Sequence, residues 1–116
     1  MKKPPVQSEE EISQTLLSLL SAYESADLAQ LQNLVSRDVD IHVRELDLYG
    51  RAAFFRIYEP EHFDLSKFSV RSDGDIGWSY GTLTRKNSVM HFSAVFQQKR
   101  PHQWKIVHLH LSDASL

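Results

Sequence analysis

Trp104-Lys105-Ile106-Val107-His108-Leu109-His110-Leu111-Ser112 is the stretch on which the fold turns. An aromatic start and a β-branched centre mark a strand. Alternate residues of a strand point to opposite faces. Trp104, Ile106, His108, His110 and Ser112 therefore share one side, and Lys105, Val107, Leu109 and Leu111 the other. Apolar groups fall on both sides, so this strand has something to cover on each face.

Working back from it, Lys99-Arg100-Pro101-His102 reads as a solvated loop, and Val89 to Gln98 as the preceding strand. A tight turn at Lys86-Asn87 joins that strand to a long one over Ile76 to Arg85. Asp73-Gly74 is a hairpin turn signal, and Lys67 to Arg71 precedes it as another strand. Val39, Ile41 and Val43 alternate with polar residues and predict a first strand, broken by Gly50. Arg51 to Tyr58 can form a short helix with Phe54, Phe55 and Tyr58 inward, ended by Pro60.

The N-terminal part is helical. Ser8 to Glu11 has the form of a capping box, with Ser8 as N-cap and Glu11 three residues on. Ile12, Leu16, Leu19, Leu20 and Tyr23 then recur at helical spacing, to about Ala26. Asp27 to Gln30 repeats the capping pattern, and Leu28, Leu31, Leu34 and Val35 carry a second helix. Helices followed by a curved antiparallel meander define an α+β class. Residues 1–7 are expected to be a disordered leader and residues 8–116 one domain.

At 116 residues, with 41% hydrophobic and 24% charged residues, the chain has the composition of one globular domain. A net charge of −2 supplies no basic field for nucleic acid or an anionic membrane. There is no cysteine for a disulfide, a thiolate nucleophile or a thiolate zinc site. No apolar run has the length of a membrane span, and a cytoplasmic protein is expected.

Three segments together carry a resemblance. Asp73-Gly74-Asp75-Ile76-Gly77-Trp78, Phe92-Ser93-Ala94-Val95-Phe96 and Trp104 to Ser112 resemble, in this order, the SnoaL-like branch of the nuclear transport factor 2-like superfamily. The last is also similar to the end of the calmodulin-dependent kinase II association domain. Gly77 stands where the branch usually has alanine. The resemblance implies a cone of bent sheet around helices, often with a pocket, and a homodimer through the outer sheet face. It spans isomerases, cyclases, hydrolases, binding proteins and oligomerisation domains, so it implies no single reaction.

Turn lengths estimate the register. A four-residue loop at 99–102 sets Val95 opposite Ile106, Ser93 opposite His108 and His91 opposite His110. The 86–87 turn sets Tyr80 opposite Ser93 and Trp78 opposite Val95. One face then carries aromatics with polar edges and histidines, the composition of an interface. Trp78, Tyr80, His91, Trp104, His108 and His110 are the expected dimer surface. The other face is apolar and suited to the helices. A pocket there would be lined by Tyr23, Phe55, Tyr58, Ser79, Phe92 and Leu109 and would take a small, mostly apolar molecule.

Catalytic chemistry has thin support. In isomerase-like relatives an acid near the end of the first strand serves as base, and Asp40 is the candidate for it, weighed against a solvated edge strand. His91, His108 and His110 have spacing for three-imidazole zinc, but spacing alone is a weak signal and half-buried interface histidines are the preferred reading, so neither metal nor cofactor is expected. A small-molecule-binding or accessory homodimer is the leading reading. An isomerase, cyclase or lyase and a pure oligomerisation module are its alternatives.

Overall fold

Helix α1 spans Pro5–Ser25 in the computed structural model, which describes residues 5–114. It begins earlier than the capping pattern suggests. Pro5 stands at the first helical position, where a missing backbone N–H costs little. Ser8 is buried inside the helix, not at its cap. Glu11, the other half of the expected box, instead accepts from Trp104 Nε1 at 2.9 Å and lies 2.6 Å from His102 Nδ1. Residues 1–4 of the expected leader and residues 115–116 of the expected domain lie outside the described residues, while residues 5–7 are helical.

Ala26, at φ 59°, turns the chain out of α1. Asp27 then caps α2 (Leu28–Leu34), its side chain accepting from the Gln30 backbone N–H at 3.2 Å as the sequence predicts. Val35, read above as helical, is instead the first residue of β1 (Val35–Val43). A turn at Arg44 and Glu45 leads into β2 (Leu46–Tyr49), a short strand with no clear sequence signal. Helix α3 (Arg51–Ile57) follows, then β3 (Asp64–Asp73), β4 (Ile76–Arg85), β5 (Ser88–Arg100) and β6 (Gln103–Asp113).

The six strands form one open sheet in the order β2-β1-β6-β5-β4-β3. The meander from β3 to β6 is antiparallel, as expected, whereas β1 and β6 are parallel. Parallel neighbours need a long crossover. Here everything from β2 to β5 forms it, returning the last strand to the side of the first.

A bulge decides the faces of β6. Ala94 lies opposite Leu109 and Val95 opposite His108, but Phe96 lies opposite Ile106, leaving Val107 as the extra residue. The expected partners of Ser93 and His91 shift likewise, to His110 and Ser112. An extra residue inverts the alternation on one side of it. Trp104 and Ile106 therefore turn inward with Phe96, and both are buried. His108 and His110 stay on the outer side.

The inner face is packed. Ile12 and Leu16 of α1 meet Val39, Ile41, Val70, Leu83, Phe92, Ala94, Phe96, Trp104 and Ile106 in one core. Gly77 makes the approach possible, because a Cβ there would collide with Ile12 Cδ1. The space opposite Gly77 is thus filled by Ile12, which is fully buried. No helix among the described residues is long and apolar enough to cross a membrane.

Candidate functional site

The six residues expected to line a pocket fall into four settings. Ser79 and Phe92 belong to the core, at 1% and 4% exposure. Tyr23 and Tyr58 belong to an aromatic group with Phe54 and Phe63: the Tyr23 and Tyr58 rings meet edge-on at 4.8 Å, and Tyr23 and Phe63 at 5.8 Å. Tyr58 Oη donates to the Tyr23 carbonyl at 2.5 Å, tying the segment after α3 to α1. Burial and the neighbouring Glu61 push the Tyr23 phenol up, so that hydroxyl stays neutral. Leu109 packs at the margin of the core, and Phe55 borders a shallow surface groove with Arg37, Asp38 and Arg51. The Ser79 hydroxyl has no hydrogen-bond partner.

The outer face is different. Ile76, Trp78 and Tyr80 stand exposed along β4, at 40%, 39% and 50%. Across from them, Trp78 pairs with Val95 and Tyr80 with Ser93, as the turn at Lys86 and Asn87 dictates. His91 and His110 are exposed on this same side and His108 is partly buried. Trp104 is corrected out of the expected dimer surface. The bulge turns it inward to 3% exposure, with its indole N–H given to Glu11.

Beside these aromatics, three strands bring titratable side chains together. His42 and Asp40, two apart on β1, share the outer face. Asp47 of β2 is the cross-strand partner of His42, and His108 of β6 that of Asp40. His42 Nδ1 donates to Asp47 Oδ1 at 2.5 Å. His42 Nε2 lies 2.8 Å from Asp40 Oδ1, and His108 Nδ1 lies 3.1 Å from Asp40 Oδ2. The imidazoles of His42 and His108 are 5.5 Å apart, and Tyr49 closes the far side of His42 edge-on at 6.3 Å.

The electrostatics follow from this layout. Asp47 and Asp40 flank His42 and raise its pKa. Burial by itself would raise Asp40, but the imidazoles of His42 and His108 outweigh it and hold the carboxyl below its ordinary range. A carboxylate held low is a weaker base, the reverse of the tuning an isomerase needs. Asp40 also faces away from the core into which Ile41 points.

Asp40, His42 and His108 are the one group among the described residues that gathers three potential metal ligands within 4.8 Å. The set suggested by spacing, His91, His108 and His110, does not gather, because His91 lies opposite Ser112. Sequence reasoning had His108 but missed His42 and Asp47 as its neighbours. The only signal for them was the polar alternation of β1, and the pairing that brings His108 to Asp40 spans 68 residues.

Comparison with known proteins bears on the whole chain. The profile of the SnoaL-like domain matches residues 12–115. No curated protein matches the chain. A protein of unknown function of the DUF3225 family from Pectobacterium atrosepticum is similar in structure, with TM-score 0.80 at 20% identity, over 99% of this chain and 100% of that one. The CaMKII hub of S. rosetta gives TM-score 0.78 at 19% identity, over 98% and 99%. A ketosteroid isomerase candidate from Shewanella frigidimarina gives 0.78 at 14% identity, over 88% and 94%. At these identities the likeness is one of fold.

Proposed function

The chain belongs to the SnoaL-like domain family, and on that footing we propose that it is a binding or accessory domain that works as a homodimer through its outer sheet face. One observation carries this reading: Ile76, Trp78 and Tyr80 stand in a row, exposed, on a face that no helix among the described residues covers. Aromatics with polar edges, rimmed by serine and histidines, suit a surface that is wet in one state and covered in another. A two-fold contact would set the same patch against itself. The likeness to a kinase hub agrees with an assembly role.

The ligand part of the proposal concerns the interior. Tyr23, Phe55, Tyr58, Ser79, Phe92 and Leu109 are its proposed lining, and Ser79 offers a buried hydroxyl without a partner. A small apolar molecule with one hydrogen-bonding group would suit that hydroxyl, provided the Tyr58 to Phe63 segment gives way. Ile12 filling the space at Gly77 favours a second reading, a pure oligomerisation module with a closed interior. The alternative of an isomerase or lyase draws only on the fold it shares with the isomerase candidate, since Asp40 lies on the outer face.

Native mass spectrometry of untagged protein tests all three. A dimer with an added organic mass supports the binding domain or the isomerase or lyase, and a clean dimer the oligomerisation module. A monomer overturns the homodimer. Trp78→Glu should convert the dimer to folded monomer, and a dimer that survives it places the contact elsewhere.

A further inference from the structure

We propose that Asp40, His42 and His108 form a binding site for a divalent first-row transition metal of the zinc class on the outer sheet face. Asp47 holds His42 in the tautomer that ligates. The inference is independent of any ligand in the interior.

The argument begins with the protons. His42 Nδ1 gives its proton to Asp47 Oδ1 at 2.5 Å. In a neutral imidazole the other nitrogen is then a lone pair. That nitrogen, Nε2, faces Asp40 Oδ1 at 2.8 Å. Two acceptors this close require positive charge between them, either a proton or a metal ion. Asp40 Oδ1 is shielded from solvent, so water does not supply that charge. A shielded carboxylate oxygen facing an imidazole nitrogen is a position that a metal cation can take in place of the proton. On the other side of the carboxylate, His108 Nδ1 lies 3.1 Å from Oδ2.

The donor set has the right chemistry. Two imidazoles and one carboxylate suit zinc, iron, cobalt or nickel, and suit calcium or magnesium poorly. Bonds of about 2.0–2.2 Å are expected for such ligands. Candidate ligand atoms within 4.8 Å of one another can be drawn onto one ion by small side-chain rotations. The Asp47–His42 pair supplies the outer hydrogen bond that metal-bound histidines ordinarily make through their second nitrogen. Three ligands leave a position open for water or an outside donor. The strands also hold the site firmly: Asp40 and His42 are fixed two apart on β1, and β2 and β6 flank it on either side.

The test uses the untagged full chain, stripped of metal and titrated with zinc and cobalt(II) by calorimetry and visible absorption. The expected result is one ion per chain, with uptake lost in His42→Gln and in His108→Gln and retained in His91→Gln. Asp47→Asn should weaken binding by about 10–100-fold, the usual effect of losing such an outer partner. Should a histidine variant fail to fold, imidazole NMR of the wild type during zinc titration reads the same site. Shifts confined to His42 and His108 support the proposal. Wild-type protein that takes up no ion, uptake unchanged in both histidine variants, or shifts at other histidines alone would overturn it.

Discussion

Strand β4 shows the contrast between the two faces of the sheet within four residues. Gly77 and Ser79 face inward and are buried, while Trp78 and Tyr80 face outward and are 39% and 50% exposed. The small residues lie under the helix and the large aromatics face solvent, the reverse of what hydrophobicity alone suggests. The reason is room. The inner side must accept Ile12 and Leu16 of α1, so β4 contributes small groups there and β5 the large ones, Phe92 and Phe96. On the inner face, Ile12 takes the space at Gly77. The outer face keeps every histidine–carboxylate contact of β1 and β6.

If the inner face carries the stability, its disruption should dominate. Phe96→Ala removes a fully buried ring and should cost about 3–5 kcal/mol in urea unfolding. A loss comparable to that of an outer-face substitution would erase the distinction. Gly77→Ala sharpens it. The added methyl meets Ile12 Cδ1, and overpacking should cost about 1–3 kcal/mol. Ile12→Val removes the obstructing carbon, so the double variant should recover part of that loss in a mutant cycle. Additivity would mean that the helix does not seat on Gly77.

Trp104 tests the boundary between the faces, because the bulge moves it from one to the other. Trp104→Phe keeps an aromatic ring, smaller than the indole, and deletes the N–H given to Glu11, with an expected loss of at least about 1–2 kcal/mol. On the outer face, Trp78→Ala should change the stability of the dilute monomer by about 0.5 kcal/mol or less, as for surface sites generally. Concentration dependence of the melting temperature should fall with it.

The smallest effect is expected from an exposed histidine far from the cluster. His62 lies 3.0 Å from Glu24 and 2.8 Å from Asp64. Glu24 first, then Asp64, raise its pKa above the unfolded value. The stabilisation is therefore complete below about pH 6.5, the unfolded value, and is lost as pH rises through the raised folded value. The melting temperature of His62→Gln should fall below wild type at acidic pH and converge on it at alkaline pH. A constant difference across that range would remove the ion pairs as its cause.

The readable parts were those governed by neighbours in the chain. The helical stripe of Ile12, Leu16, Leu19 and Leu20 lies against the core, and Asp27 caps its helix, because capping and amphipathic spacing act within a few residues. The β4 and β5 register came from a two-residue turn at Lys86 and Asn87, with Lys86 at φ 52°. The β5 and β6 register did not. The turn there is Pro101 and His102, shorter than the loop suggested, and irregularities follow between Gln98 and Arg100 and between Val95 and Phe96. Ser8 misled because its capping pattern competed with a tertiary use of Glu11.

By itself, then, the sequence determined the element types, the helices-then-meander order and the identity of the residues able to carry charge or ligate, since composition and period are local properties. Tertiary structure alone decided which of them meet. The parallel seating of β6 beside β1 brought His108 to Asp40, and one extra residue, Val107, sent Trp104 inward while leaving His108 out. Strand pairing is a choice among distant segments, and a bulge inverts the alternation beyond it without a mark in the local pattern.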